Sequence, residues 1–401
     1  MSKYAKRMEY MAETAAVVNG LFAGLRDPDL IHLGIGAPAP EALPVEEMRD
    51  VTCEIMTREG RGVEALQYGP VQGIPDLRES TVKELLQPLG IDVSPDQVMI
   101  TAGGLESLSL TCALFIEPGD VILVESPTFV HAVETFEMFE AKCIGVAMDD
   151  EGMDMTDLEQ KIREHDPKLV YVIPTFQNPT GRTLSLERRK KVAELARQYE
   201  FLVLEDDPYR ELRYSGEDLP PIKAFDTDDR VIFCNSFSKI FSAGSRLGYM
   251  IGTDDVIKHL KDAKSALNSH TAILPQIMCA EFFKRGYFQP HKKKICDLYR
   301  QRRDIMMESL DRFFPEGTKH SVPDGGLFTW VELPGGIDTK ELLKESLARK
   351  DINVAYVPGE KFFVDGEPVT NCMRISFGAV PPEKIRSGIE KLGRLIGEKL
   401  E

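Results

Sequence analysis

Five short apolar runs, largely β-branched, set the limits on what this chain folds into: QVMIT (97–101), VILVES (121–126), LVYVIP (169–174), FLVLED (201–206) and RVIFCNS (230–236). A strand with one wet face alternates apolar and polar residues. These runs are apolar almost throughout, so both of their faces must be covered. Segments with a helical period, LESLSLTCALFI (105–116) and SLERRKKVAELARQYE (185–200), fall between them. Alternating strands and helices predict a layered α/β domain around a mostly parallel sheet, spanning residues 45–285.

Past residue 285 the texture changes. A long helical pattern over 288–313 leads into LFTWVEL (327–333), INVAYV (352–357) and CMRISFG (372–378), and the amphipathic stretch 381–400 closes the chain. This predicts a smaller α+β domain, residues 286–401, with segment 1–44 joined to it; that segment opens on a helix and is then rich in Gly and Pro. At 401 residues the chain exceeds what a single core usually serves, in keeping with two domains.

Charge narrows the partners. With 49 basic and 65 acidic residues the net charge is −16, which repels nucleic acid and anionic membrane. The one basic run, His291 to Arg303, reads as a solvated helix face. No apolar stretch reaches the roughly 20 residues of a membrane span, and the opening MSKYAKRMEYMAETAAVV lacks the apolar core of a signal peptide. A cytoplasmic protein is expected. Its seven cysteines are scattered and form no C-x-x-C pair, so neither a disulfide framework nor a metal site is expected.

Ligands of parallel α/β sheets sit at the carboxyl ends of the strands. After QVMIT comes AGGLESL, where Gly104 and Leu105 open a helix whose N–H groups suit a phosphate; glycine is equally common there for steric reasons. After LVYVIP comes TFQNPTG, with Asn178 in what is also good turn chemistry. After FLVLE comes DDPYRE. A buried Asp206 is costly without a cationic partner, and Tyr209 can reach the same ligand; a helix N-cap would use the same residues. After RVIFCNS comes SFSKIFSAGSRLGY. Ser236, Ser238 and Arg246 suit a phosphate, while Lys239, buried near another cation, is pushed toward the neutral, nucleophilic amine. One molecule accounts for all four strand ends: a phosphate, an aldehyde for Lys239, a phenolic oxygen for Asn178 and Tyr209, and a protonated ring nitrogen for Asp206. That molecule is pyridoxal 5′-phosphate.

The ordered set YGPVQGIPDLR, ITAGGLESL, ESPTF, QNPTG, EDDPY, SFSKIFSAGSRLGY and CMRISFG resembles the class I/II, fold-type I pyridoxal-phosphate aminotransferases over essentially the whole chain. Within them the PAPEALP opening and the PTF wording are most similar to the 2-aminoadipate, kynurenine and multi-substrate subgroup. The resemblance implies a three-layer large domain with a mostly parallel seven-stranded sheet. It implies a ping-pong transfer of the α-amino group from an amino acid to a 2-oxo acid, with 2-oxoglutarate the expected acceptor. Carried over, Lys239 binds the cofactor aldehyde and shuttles the proton, Asp206 pairs with the ring nitrogen, and Asn178 and Tyr209 meet the phenolic oxygen. The phosphate falls to the backbone of Gly104 and Leu105 and to Ser236, Ser238 and Arg246. Phe129 stacks on the ring face, and Arg374 clamps the substrate α-carboxylate, helped by Asn178 and the backbone at Gly36. Tyr68 reaches the phosphate of a neighbouring subunit, which makes an isologous homodimer the functional unit.

Three departures from the family pattern stand out: Ala243-Gly244 where relatives put proline before the glycine, Gly-Gly-Leu-Glu where they put a hydroxyl, and Phe129 where many have tyrosine or tryptophan. The same fold also hosts C–S β-lyases that use the same cofactor residues; Arg374 and the two-domain layout favour transamination. A DNA-binding regulator built on this domain is disfavoured by the charge and by the lack of a basic helix-turn-helix before residue 45. For Arg374 alone, an edge-strand surface ion pair is the bland alternative. Aromatic, branched and 2-aminoadipate donors stay open, and Arg26 with the segment 35–40 is expected to line the side-chain pocket.

Overall fold

Neighbouring residues along each central strand enter different cores. Ile122, Val124, Tyr171 and Leu204 lie in one buried cluster, whereas Leu123, Val170, Val172 and Val203 lie in another. The second cluster is completed by the helices Met155–His165 and Leu186–Tyr199, the first by helices including Gly104–Phe115 and Ile273–Lys284. The layers are therefore helix, sheet, helix, and strand positions on both faces are mostly apolar. The computed structural model describes residues 29–366 and 369–400, together with Tyr4, Ala5, Arg7, Met8 and Asp27.

The sheet runs in the order Val98–Thr101, Gly248–Ile251, Val231–Ser236, Leu202–Asp206, Leu169–Val172, Val121–Ser126, Lys142–Asp149, Gly152–Met153. Seven of these are strands of four or more residues, as expected; the eighth is a two-residue hairpin extension. Pairing is parallel from Val231–Ser236 through to Lys142–Asp149, and Gly248–Ile251 is antiparallel to both of its neighbours. The run reading misses two strands for different reasons. Lys142–Asp149 lies near the sheet edge and is only partly buried, so its residues are less uniformly apolar. Gly248–Ile251 is buried but short. It opens on a glycine because a Cβ there would come within 2.8 Å of the Gly103 backbone.

A separate antiparallel sheet has the order Lys319–His320, Phe328–Glu332, Cys372–Ser376, Val357–Pro358. The run INVAYV does not make the single strand expected. Val354–Ala355 pairs with Ile31–His32 and Val357–Pro358 with Cys372–Ser376, while Tyr356 between them is fully buried and donates to the Thr339 carbonyl at 2.7 Å. The basic run on the helix Phe288–Phe313 also needs correcting. His291 and Arg302 are buried, and the Arg302 guanidinium donates to the Gly378 carbonyl and pairs with Glu41 at 3.1 Å. Among the described residues no helix is long and apolar enough to cross a membrane.

Candidate active site

Asp206 ends the strand Leu202–Asp206, beside Cys234 of the next strand, and is almost completely buried. Tyr171 donates its hydroxyl to Oδ2 at 2.9 Å, and the Cys234 thiol lies 3.8 Å from Oδ1. Burial drives the carboxyl up to about 7 against the Tyr171 hydrogen bond, and the neighbouring Asp207 adds to the rise. The protein supplies no cationic partner among the described residues: no described lysine or arginine pairs with Asp206, whereas Asp207 is taken by Arg210 at 2.5 Å. Of two adjacent buried carboxylates, one is neutralised by the fold and the other is left for a cation from elsewhere. Sequence reasoning passed over Tyr171. A phenol in the middle of an aliphatic strand was the available signal, because its O–H needs a partner once buried.

Lys239 follows the strand Val231–Ser236 in the tight turn Phe237–Lys239. Its Nζ donates to the Gly36 carbonyl at 2.7 Å and no carboxylate is paired with it among the described residues. Burial, then the charges of Arg374 and Arg246, lower its ammonium to about 8. Ser236 caps the same turn by accepting the Ser238 N–H at 3.1 Å, and the two hydroxyls lie 2.9 Å apart. The helix Gly104–Phe115 starts beside them without a side-chain cap: the Glu106 N–H turns back to the Gly103 carbonyl at 3.2 Å, and the N–H groups of Gly104 and Leu105 have no partner among the described residues. Leu105 is partly exposed at that start. Gly103, at φ +86, lets the backbone pass Arg246: a Cβ there would lie 2.5 Å from Nη2.

Lys239, Asn178, Tyr209, Phe129, Gly36 and Arg374 border one cavity of about 350 Å³. Arg374 donates from Nη1 to Asn178 Oδ1 at 2.8 Å and from Nη2 to the Gly34 carbonyl at 2.7 Å. Its guanidinium lies 4.3 Å from the Phe328 ring centre and 5.2 Å from that of Phe362. Burial lowers it to about 10, and no described carboxylate offsets its charge. The edge-strand ion pair is thereby excluded among the described residues, since Cys372–Ser376 is an inner strand of its sheet. Tyr209 is buried against Phe328 with its ring centre 5.7 Å away, and burial raises its phenol. Phe328 and Phe362 were not anticipated, because aromatic residues in core strands carry no separate signal. Ile35, Ala37 and Pro38 line the cavity, as expected of segment 35–40; Arg26 lies outside the described residues. Tyr68 is not in this cavity. It is 85% exposed, edge-on to His270 at 5.8 Å.

A model of the family "Aminotransferase class I and II" matches residues 28–392. The chain is a class I and II aminotransferase. It is 41% identical to aromatic-amino-acid aminotransferase 1 of Thermococcus litoralis over 96% of this chain and 93% of that one. It is 32% identical to the 2-aminoadipate transaminase of Thermus thermophilus, over 95% and 94% of the two. Among solved structures, the kynurenine aminotransferase of Pyrococcus horikoshii superposes with a TM-score of 0.92 at 40% identity, covering 100% of this chain and 98% of that one.

The cofactor of this aminotransferase is pyridoxal 5′-phosphate. The residues present fit it: a buried carboxylate without a protein cation, an amine near neutrality without a carboxylate, and free helix N–H groups beside two serine hydroxyls and an exposed arginine.

Proposed function

We propose that this aminotransferase moves the α-amino group from an aromatic or otherwise apolar amino acid to 2-oxoglutarate by a ping-pong mechanism. The observation that carries this reading is Arg374, an uncompensated cation set among aromatic rings in the same cavity as the Lys239 amine. The guanidinium fork matches a carboxylate bidentately and so fixes the α-carboxylate of either substrate. When bound, pyridoxal phosphate supplies an aldehyde for the amino group and a ring that takes up the electron pair left as the Cα proton departs. Asp206 holds the ring nitrogen protonated, and the Tyr171 hydrogen bond supports the ionised carboxylate in that task. Asn178 and Tyr209 would hold the phenolic oxygen, and Phe129 would cover the ring. Ser236, Ser238, Arg246 and the backbone at Gly104 and Leu105 hold the phosphate. Lys239 would hold the aldehyde between turnovers, and its amine is the group placed to take the substrate Cα proton and return it. An amine near neutrality does both without a large driving-force penalty.

We also assign residues 45–285 to a large cofactor-binding domain and residues 1–44 and 286–401 to a small one. The pairing of Ile31–His32 with Val354–Ala355 supports placing the first segment with the second. The working unit is a homodimer in the cytoplasm. Val63, Leu66 and Tyr68 form an exposed apolar stretch, 61%, 76% and 85% accessible, which supports an interface that carries Tyr68 into the partner's phosphate site.

Mixing the holoenzyme with phenylalanine and no oxo acid should convert one equivalent of cofactor to its pyridoxamine form and then stop. Continuous release of ammonia and pyruvate from an S-substituted cysteine would show a β-lyase instead. In the same assay Arg374→Leu should lower kcat/KM for every α-amino acid by roughly 10²–10³, the cost of truncating one partner of a buried charge pair.

A further inference from the structure

The cavity has a second uncompensated cation that the roles above leave unused. Lys361 borders it from the short turn Gly359–Phe362 and has no ion pair or hydrogen bond among the described residues. The acids near it in the chain, and the one bonded to the cavity residue His131, are engaged elsewhere. Glu360 pairs with Lys340 at 2.9 Å, Asp365 accepts the Gly145 N–H at 3.0 Å, and Glu134 is held by His131 at 2.6 Å.

The turn itself is fixed in place. Thr128 donates its N–H to the Phe362 carbonyl at 2.8 Å, which seats residue 361 at the seam beside Phe129. Phe362 connects the two cations: it follows Lys361 in the chain, and its ring lies 5.2 Å from the Arg374 guanidinium. A substrate anchored on Arg374 therefore runs along an aromatic wall with an ammonium at its border.

We infer that Lys361 is a specificity-determining residue that receives the distal carboxylate of dicarboxylic substrates, the 2-oxo acid acceptor and its amino acid counterpart. A lysine suits a cavity that must also admit apolar donors. Lys361 is only half-buried, and a four-carbon stem lets a charged head reach solvent, so no buried cation is stranded when the substrate has no second charge. The inference deepens the proposed function and rests on Arg374 as the α-carboxylate clamp.

The test uses holoenzyme and two unreactive acids, glutarate and 3-phenylpropionate, with binding measured by calorimetry and by the cofactor absorbance. Lys361→Met keeps the stem and removes the charge; Lys361→Arg keeps the charge. Expected is a loss of glutarate affinity of tenfold or more in Lys361→Met, rescue in Lys361→Arg, and a change under threefold for 3-phenylpropionate. The kcat/KM values for glutamate and phenylalanine should divide in the same way. Equal effects on both acids, or none on glutarate, would overturn the assignment. Wild-type enzyme that binds neither acid would bring down the role of Arg374 and this inference with it. Loss of both acids in Arg374→Leu, with only glutarate lost in Lys361→Met, upholds the pair.

Discussion

Replacing Lys239 with alanine should leave a folded protein whose turnover falls by at least roughly 10²–10⁴, the range of general acid–base catalysis, because the one other described amine bordering the cavity, Lys361, comes from the separate turn Gly359–Phe362. Folding should survive, since among the described residues the Nζ makes a single hydrogen bond, to the Gly36 carbonyl. The pH dependence has a definite sign. In the cofactor-free protein the ammonium titrates near 8 instead of 10.5, so folding penalises the charged form. That penalty is complete below about pH 8 and fades as the pH rises toward 10.5. Cofactor-free Lys239→Ala should therefore melt at or above the wild-type temperature at pH 7, with the difference shrinking as the pH rises toward 10.5. Borohydride should fix cofactor to the wild-type chain at residue 239 and to the variant nowhere. Near-normal turnover in the variant would remove Lys239 from the chemistry.

Asp206→Asn should be almost as damaging, by a different route. The amide keeps the shape and can still accept the Tyr171 hydroxyl, but it brings no charge to the ring nitrogen. Removing one partner of a buried charge pair costs about 3–5 kcal/mol, or roughly 10²–10⁴ in rate where the pair strengthens with the reaction. Stability should move the other way in the cofactor-free protein. The carboxyl is raised from 3.8 to about 7, so it costs nothing below pH 3.8, costs progressively more up to about pH 7, and costs its full amount above. At pH 8 the cofactor-free variant should thus melt at or above the wild-type temperature, while its holoenzyme loses cofactor at least ten times more readily. Thermal melts with and without cofactor, together with single-turnover rates, separate the two effects. A variant with wild-type rates would mean that the ring nitrogen has another partner.

These two residues are legible in the sequence because each lies at the end of an apolar run whose direction is set by the parallel sheet. Once FLVLED and RVIFCNS are strands buried on both faces, Asp206 and the SFSK turn must emerge at the same edge. Arg374 was legible only through the family resemblance, since an arginine in a β run says nothing about its surroundings. Its meaning came from Gly34, Asn178, Phe328 and Phe362, which lie as far as 340 positions away in sequence. Tyr171 and Lys361 were missed for a related reason. One sits inside a run that reads as core, where only its phenol hinted at a buried partner, and the other in a turn that reads as solvent.

What the chain alone determined is the layered α/β architecture and the residue types at the strand ends, because period and burial are local consequences of side-chain chemistry. The split of INVAYV between two sheets, the inward turn of His291 and Arg302, and the pairing of Asp207 but not Asp206 depended on contacts between distant segments. Charge compensation is a property of three-dimensional neighbours. Whether a given cation or carboxylate is satisfied or left open for a substrate was therefore decided only when the chain had folded.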